Sequence, residues 1–411
     1  MSNLNMEEVI EKADLINHEK PGTVFSGYTV MTKSMVGSGI LSIAFACSKC
    51  GLILGILLLF FAAFLTWLSL HVICKLALDA PTGDITFYTI TERILPKVKR
   101  FLDIAVIVDC LGSAIAFVQT MGTLLGKSAD HMFGFESLDQ RSVIMIIQTC
   151  MVIALLPVCL MKEISGTKYL NIIGLLGLVY VTILAMVYTN ISEVSSDLLY
   201  PIDSFSGVSG FLIMIFAFSC QQNVLSVVTE MKSPSIRKLD MVTGSAISTG
   251  FIMYLPVMIL PFLTFGRSKD DASTFFELLP PTIATQIGYV CAALSVSISF
   301  VLVVHPIRRS VLSLMYSGEL PTGRKEKVAR TGVVLAILTI SLGVAIAAGS
   351  SLGPTLEFTA LLGANTCGFL MPCILYLKHF GFDFKIVALL LFSIALYPIG
   401  ITAAIMGIIK S

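Results

Sequence analysis

The stretch at residues 28–51, YTVMTKSMVGSGILSIAFACSKCG, decides how the rest of the chain is interpreted. It is apolar enough to enter a bilayer, yet it carries Lys33 and a Gly37-Ser38-Gly39 sequence near its middle. A lysine in the hydrocarbon costs roughly 2.5–3.5 kcal/mol on insertion scales, and each unpaired backbone group there costs several more. The stretch therefore predicts an interrupted membrane helix whose polar groups are used inside the protein.

The composition is that of a polytopic membrane protein. Of 411 residues, 56% are hydrophobic and 13% are charged, whereas a soluble chain carries about 25% charged residues. The net charge of +1 argues against nucleic acid as a partner, because phosphate binding needs a basic surface. The ten cysteines lie in or beside apolar runs without a histidine or carboxylate pattern, so we expect them to pack as small residues. We expect no metal site, no cofactor and no catalytic residues.

Hydropathy predicts eleven membrane helices. A bilayer core about 30 Å thick needs about 20 apolar residues per helix. The candidate segments are 24–48, 51–78, 101–127, 142–161, 169–190, 206–231, 241–265, 281–315, 331–349, 355–377 and 385–408. Residues 1–23 are acidic and lack an apolar core, which predicts a cytosolic tail rather than a cleavable signal peptide.

The distribution of lysine and arginine predicts the orientation. With a cytosolic N-terminus, 19 of these residues fall on the cytosolic side or its helix ends and 5 on the opposite side. An odd number of helices then places the C-terminus in the lumen or outside the cell. Asn190, in the glycosylation sequon Asn190-Ile191-Ser192, falls on that same far side.

A second interruption lies in the sixth segment, five helices after the first. There the run FLIMIFAF is followed by five small or polar residues, at positions 219–223, before apolar residues resume. Interrupted helices at corresponding places of two halves are typical of transporters built from inverted repeats. We therefore expect repeats at 24–190 and 206–377, with an extra helix at 385–408.

Four motifs of the chain resemble those of the amino acid/auxin permease family. The first-helix stretch KSMVGSGILSIAFACSKCG and the sixth-helix stretch FAFSCQQNVLSVVTEMKSPS are similar to the family's two broken helices. DCLGSAIAF, from Asp109, resembles the third-helix pattern, and SFVLVVHPIRRS, from Ser299, resembles the eighth-helix H-P-x-R. The third- and eighth-helix versions look most like the vacuolar and lysosomal branch.

The resemblance implies a fold, a function and a compartment. The fold is the LeuT-type arrangement of five plus five inverted helices with an eleventh at the edge. The function is secondary active transport of neutral or polar amino acids by alternating access, not enzymatic catalysis. A vacuolar, lysosomal or other endomembrane location is favoured over the plasma membrane. Residues 11–16 resemble an acidic dileucine sorting signal, carried by Glu11, Leu15 and Ile16. We expect a monomer in the lipid bilayer with a free amino acid as its substrate.

The two interruptions are the predicted substrate site. A substrate carboxylate needs backbone N–H groups at the start of a half-helix, and its ammonium needs carbonyl oxygens from unwound turns. The alternative for the glycines is a small-residue packing face. The candidate residues are Gly37, Ser38, Gly39, Phe216, Phe218, Ser219, Cys220, Gln221, Gln222 and Asn223.

Lys33 is the main indication of the coupling ion. Sodium-coupled relatives tend to have asparagine at the matching position, whereas an ammonium has three donors, no acceptor and a charge that repels sodium. We therefore interpret Lys33 as replacing sodium, with Asp109 as a possible partner, and expect protons to be the coupling ion. The alternative is a lysine that snorkels to the cytosolic interface.

Three further residues are candidates for ion coupling. Ser297 and Ser299 occupy the eighth segment, where sodium-coupled relatives place hydroxyl ligands, and His305 titrates in the useful range. Four polar residues, Gln119, Gln148, Glu357 and Asn365, are expected to form interhelical hydrogen bonds. Two other functions remain open: a sodium-coupled symporter of the plasma membrane, and a membrane sensor that binds an amino acid without moving it.

Overall fold

The chain folds into α-helices that follow the predicted hydropathy closely. The structure is a computed structural model and describes residues 22–37, 39–80, 85–133, 139–161, 167–188, 199, 204–266, 275, 279–316, 323–349 and 352–410. The helices are α1 (Val24–Met35), α2 (Gly39–Cys50), α3 (Leu52–Leu78), α4 (Phe87–Ile94), α5 (Lys99–Phe133), α6 (Gln140–Cys159), α7 (Lys168–Val187), α8 (Ser204–Phe218), α9 (Gln221–Glu230), α10 (Ile236–Phe265), α11 (Ile283–Met315), α12 (Gly323–Ala348), α13 (Leu352–Phe358), α14 (Met371–Phe380) and α15 (Phe384–Lys410).

The eleven predicted membrane spans are all accounted for. Within the described residues, ten helical spans are long and apolar enough to cross a bilayer, and the bent pair α1 and α2 makes an eleventh. The sixth span combines α8 with α9, and the tenth combines α13, a π-helical stretch at Thr359–Leu370, and α14. The prediction of an all-α polytopic membrane protein is confirmed.

Two features of the chain were not expected from hydropathy. The short helix α4 lies in the connection between the second and third spans and begins at a capping box formed by Thr86 and Thr89. The π-helical stretch in the tenth span is the other. Within it, Gly363 lies against the backbone of Asp109 in the third span, where a Cβ would lie 2.3 Å from the Asp109 Cα.

Local sequence explains where the spans begin and turn. Thr23 starts α1 by accepting a hydrogen bond from the backbone N–H of Ser26 at 3.1 Å. Thr282 starts α11 with a capping box. Between α2 and α3 the chain reverses at the single residue Gly51, whose φ of 74° is accessible to glycine at little cost.

The spans divide into an inner and an outer group. Among the 18 residues of the apolar stretch of each span, 94% are buried in the sixth span and 17% in the fourth. The third and eighth spans also lie mainly inside, at 61% and 67%. Large apolar side chains such as Phe64, Ile153 and Ile252 remain exposed on the outer group, where lipid replaces water as the surrounding medium.

The two broken spans run antiparallel and in contact. At one end, the backbone N–H of Gly22 donates to the carbonyl of Glu230 at 3.0 Å, so the start of α1 lies beside the end of α9. At the other end, the Cys50 thiol donates to the carbonyl of Gly207 at 3.4 Å, so the end of α2 lies beside the start of α8. This geometry is what an inverted repeat requires, while the division into repeats at 24–190 and 206–377 stays a prediction.

The four polar residues expected to bond between spans do so. Gln119 donates to the carbonyl of Gly349, Gln148 to Val118 and Asn365 to Ser393, at 3.0, 3.4 and 3.0 Å. Glu357 accepts from Lys49. The ten cysteines are free thiols, and all except Cys150 and Cys291 are buried, which agrees with their predicted role in packing.

A largely buried ion pair lies where the end of α2 meets the start of α8. The Lys49 ammonium at the end of α2 lies 3.1 Å from a carboxylate oxygen of Glu357 in α13, and the side chains are 21% and 5% exposed. Ser209 of α8 hydrogen-bonds both groups. The interaction therefore joins the first, sixth and tenth spans, on the side predicted to be lumenal or extracellular.

We predict that Glu357→Ala lowers the free energy of unfolding by about 3 kcal/mol, because it leaves the Lys49 ammonium partly buried without its counter-charge. Thermal unfolding of the purified protein in detergent measures the effect. The double variant Lys49→Met with Glu357→Leu removes both charges and is expected to lose less stability. A single variant as stable as the native protein would contradict the prediction.

Candidate functional site

The two helix breaks meet at the hydroxyl of Tyr254 in α10. Its oxygen lies 2.9 Å from the carbonyl oxygen of Met35, at the end of α1, and 2.6 Å from that of Ala217, near the end of α8. A tyrosine hydroxyl has one proton, so the two carbonyls share a single donor. The ring of Tyr254 packs edge-on against Phe218 at 5.0 Å between centroids. This tyrosine therefore holds both breaks in one place.

The first break runs from Val36 to the start of α2. The N–H of Val36 donates to the carbonyl of Thr32 at 2.8 Å, and the N–H of Gly37 donates to the carbonyl of Met35 at 2.9 Å. In this conformation the Gly37 donor is thus engaged within the break itself. Ser38 lies outside the described residues.

Both glycines of the first break are needed for close approach. A Cβ on Gly39 would lie 2.6 Å from the Cα of Ala217, and one on Gly37 would lie 3.0 Å from the ring of Phe117. These glycines therefore lie at a helix break and also allow neighbouring helices to pack closely. In this conformation α8 covers the start of α2, where the carboxylate was expected to bind.

The second break is capped by its own glutamine. Helix α8 ends at Phe218, Ser219 and Cys220 are not helical, and α9 begins at Gln221. The side-chain oxygen of Gln221 accepts from the N–H of Cys220 at 2.9 Å and from the hydroxyl of Ser219 at 3.3 Å. This predicted site residue therefore stabilises the break, and Phe216 and Phe218 are buried beside it.

The next two residues present unpaired acceptors beside the break. The amide nitrogen of Asn223 donates to the Ser34 hydroxyl at 2.5 Å, but its oxygen has no hydrogen-bond partner. The oxygen of Gln222 also lacks a partner, although the residue is only 5% exposed. An unpaired buried acceptor costs about 1–3 kcal/mol, so two of them side by side are suited to a ligand that brings hydrogen-bond donors.

The Lys33 ammonium lies between the first break and the eighth span. It donates to the carbonyl of Val36 at 3.0 Å and to the hydroxyl of Ser299 at 2.6 Å. The residue is fully buried, so the alternative of snorkelling to the interface is wrong. Gly174 of α7 makes room for the side chain, because a Cβ there would lie 2.6 Å from the Lys33 Cε.

Lys33 and Asp109 do not form the pair that the sequence predicts. In the part of the chain that the structure describes, no salt bridge joins them. The lysine side chain lies against the fifth and eighth spans, whereas Asp109 faces the tenth span. The Cys367 thiol donates to one Asp109 oxygen at 3.7 Å, and the other oxygen has no partner.

Of the remaining predicted residues, some contact Lys33 and others do not. Ser299 contacts Lys33, whereas the Ser297 hydroxyl donates to the carbonyl of Ala293 at 2.7 Å, an ordinary bond within a helix. His305 is half-buried six residues beyond Ser299, about 9 Å along the helix. Asn190 and the sorting residues Glu11, Leu15 and Ile16 lie outside the described residues.

Sequence reasoning missed Tyr254 and Gly174. Tyr254 lies in the segment FIMYLP, which carries no motif. The one indication in the sequence is that a tyrosine in an apolar span needs a hydrogen-bond partner for its hydroxyl. Gly174 lies in the apolar run IIGLLG and resembles a packing glycine. Neither contact can be inferred without knowing which spans are neighbours.

The fold and the site together define a class of membrane transporter. Two antiparallel broken helices that meet inside a helical bundle, with unpaired polar atoms at the meeting point, are the arrangement in which secondary transporters bind their substrates. Residues 20–411 match the family described as transmembrane amino acid transporter protein, and the chain belongs to this family. The resemblance to amino acid/auxin permeases of the vacuolar branch is confirmed, and the family is one of transporters rather than enzymes.

Three similar proteins, two from fungi and one from a plant, are named as amino acid transporters. Vacuolar amino acid transporter 5 of Schizosaccharomyces pombe is 27% identical over 86% of this chain and 83% of its own length. Vacuolar amino acid transporter 7 of Saccharomyces cerevisiae is 28% identical over 74% of this chain and 62% of its own length. Amino acid transporter AVT6E of Arabidopsis thaliana is 23% identical over 87% and 75%.

We predict that Tyr254→Phe slows amino-acid transport at least several-fold, because the two breaks lose their shared donor while the ring packing remains. Uptake by the reconstituted protein measures this, and thermal unfolding should show a loss of about 1 kcal/mol. Tyr180→Phe is the matched control, since its hydroxyl also donates to a carbonyl, that of Ala284 at 2.9 Å, away from the breaks. Equal transport by the two variants would contradict the prediction.

Proposed function

We propose that this protein is a proton-coupled secondary transporter that moves neutral or polar amino acids across a vacuolar or lysosomal membrane by alternating access. The observation that carries the proposal is the Lys33 ammonium, which is bound by a carbonyl of the first break and a hydroxyl of the eighth span. The family supports amino-acid transport, and relatives named as vacuolar amino acid transporters support the compartment.

The substrate binds where the two breaks meet. Its ammonium donates to the unpaired oxygens of Gln222 and Asn223 and to the carbonyls left by the unwound turns. Its carboxylate binds at the start of α2, where free N–H groups and the helix dipole favour an anion. Because Ala217 covers Gly39 in the present conformation, α2 and α8 must separate before the carboxylate can enter. That separation is one step of alternating access.

The contacts of Lys33 support the proposal of proton coupling. As an ammonium it holds the carbonyl of Val36 and the hydroxyl of Ser299 together, and so ties α1 to the eighth span. A neutral amine has lost the charge that makes both bonds strong. Loss of the proton therefore weakens the link between α1 and α11 and leaves the 3.2 Å hydrogen bond from the Ser299 hydroxyl to the Lys33 carbonyl. Protonation thus changes how firmly the first span is held. Asp109, buried with one unpaired oxygen, is a second candidate for the same coupling.

A sodium-coupled symporter is the competing proposal within this class. Sodium needs several oxygen ligands, and the Lys33 ammonium occupies two oxygens at the junction of the first break with the eighth span. Its charge also opposes a second cation there. These contacts favour protons over sodium. A sensor that binds an amino acid without moving it is the competing proposal from another class.

Proteoliposomes with separate pH and sodium gradients test the function. We expect uptake of labelled neutral or polar amino acids to follow the pH gradient and to need no sodium, because the ammonium already occupies the cation position. A requirement for sodium would support the symporter. Saturable binding without flux under any gradient would support the sensor.

We predict that Lys33→Ala abolishes the pH dependence of transport or transport itself, and that Asp109→Ala does the same if both groups serve coupling. Uptake across a series of external pH values measures this, with membrane insertion checked by detergent extraction of folded protein. Lys75→Ala is the control, because Lys75 is also a lysine of a membrane span but lies over the ring of Tyr376 at 5.7 Å. Unchanged pH profiles in both variants would refute proton coupling through these residues.

A further inference from the structure

Asp109 lies on the side of the third span that faces the two helix breaks. On α5, Val106 lines a crevice together with Gln222 of α9. Phe117 lies against the first break, since a Cβ on Gly37 would be 3.0 Å from its ring. Asp109 follows Val106 by three residues and precedes Phe117 by eight, and both spacings keep residues on one side of a helix. The position of Asp109 along α5 is therefore beside the breaks.

The Asp109 carboxylate lies where the second break meets the tenth span. It is close enough to the Cys220 thiol, in the second break, to act on it electrostatically. The Cys367 thiol of the tenth span donates to one carboxylate oxygen at 3.7 Å. The next residue, Gly368, lies against the Gln221 side chain, since a Cβ there would be 3.0 Å from the amide nitrogen. The tenth span thus contacts both Asp109 and the glutamine that caps the second break.

The partners of this carboxylate are weak ones. Asp109 is fully buried, and its second side-chain oxygen has no hydrogen-bond partner. The ionisable groups on which it acts are the thiols of Cys110, Cys220 and Cys367, and a thiol is a weak donor. Among the residues that the structure describes, no salt bridge involves Asp109. A buried carboxylate in such surroundings is stabilised by any ligand that brings N–H donors.

A second buried aspartate in the same span provides a comparison. Asp103 is also buried with one unpaired oxygen, but its neighbours are the hydroxyls of Ser310 and Ser313 in α11. It lies six residues before Asp109, about 9 Å along the helix and toward the predicted cytosolic end. The two aspartates share a span, burial and charge, and they differ in their distance from the breaks.

We infer that Asp109 is a specificity-determining residue that binds the side chain of the amino acid held between the breaks. The substrate ammonium is assigned to the oxygens of Gln222 and Asn223, so a substrate side chain that extends toward the third and tenth spans meets Asp109. Amide, imidazole and cationic side chains supply the N–H donors that the carboxylate lacks, whereas an aliphatic side chain leaves it without a partner. The inference rests on the proposed transport function and narrows its polar substrates to those with nitrogen donors in the side chain.

Matched pairs of amino acids test the inference on the native full-length protein. Asparagine and leucine have side chains of the same shape, and lysine differs from norleucine by its terminal ammonium. We expect the nitrogen-bearing member of each pair to bind about tenfold more tightly than the other. Two measurements check this: inhibition of labelled asparagine uptake into proteoliposomes, and the rise in unfolding temperature that each amino acid causes in detergent.

Asp109→Asn removes the charge and keeps the shape of the side chain. We expect it to lower the preference for lysine over norleucine about tenfold, with little change in the affinity for norleucine. Asp103→Asn is the matched control and should keep the native preference. The binding measurement is needed beside uptake because a role of Asp109 in proton coupling would stop uptake without changing the relative affinities within a pair.

Equal binding of both members of each pair by the native protein would overturn the inference, and this comparison decides even if Asp109→Asn does not fold. An undiminished preference in Asp109→Asn, or the same loss of preference in Asp103→Asn, would overturn it as well. A native protein that neither binds nor transports any amino acid would instead count against the proposed function.

Discussion

The pairing of backbone groups at the two helix breaks is the constraint on which the rest of this structure depends. Inside a bilayer no water is available, so every carbonyl and N–H freed by a break must find a partner within the protein. The chain meets this demand by bringing both breaks together. The Tyr254 hydroxyl is shared by one carbonyl from each break, and the Lys33 ammonium donates to the carbonyl of Val36. The Gln221 side-chain oxygen accepts from the N–H of Cys220. Breaks far apart in sequence thus become one site.

The same constraint explains why the atoms that stay unpaired are informative. Most polar groups at the breaks are satisfied by protein partners, and the exceptions include the oxygens of Gln222 and Asn223 and one oxygen of Asp109. The first two lie on consecutive residues beside the breaks, whereas the third faces the tenth span through Gly363 and Cys367. A ligand with hydrogen-bond donors could satisfy the first pair. Asp109 and Lys33 contact different spans, so a change of charge at either residue would act on a different pair of spans.

Hydropathy predicted the spans because a bilayer imposes length and apolarity on each of them separately. The positions of both breaks were also predictable, since small and polar residues at mid-membrane are expensive anywhere else. What the sequence does not contain is the set of neighbours of each span. The partners of Lys33 come from the break itself and from Ser299, 266 residues later. Asp109 seemed a suitable counter-charge by depth alone, but its direction is fixed by packing against Gly363. Likewise, Tyr254 and Gly174 acquire a role only through contact.

The two ends of the broken spans are held together by different kinds of interaction. Where α2 meets α8, the Lys49 and Glu357 charges pair beside Ser209, and a Cβ on Gly210 would lie 2.5 Å from the Cys50 sulfur. Where α1 meets α9, the backbone N–H of Gly22 donates to the carbonyl of Glu230, a Cβ on Gly22 would lie 2.5 Å from that carbonyl oxygen, and crevices lie beside Ser226 and Gln222. Opening the first end requires separating two partly buried charges, whereas opening the second requires breaking backbone hydrogen bonds and the Arg309 contact with Ser226. Under the proposed mechanism, protonation of Lys33 would act on α1, at the end of the broken spans away from the ion pair of Lys49 and Glu357.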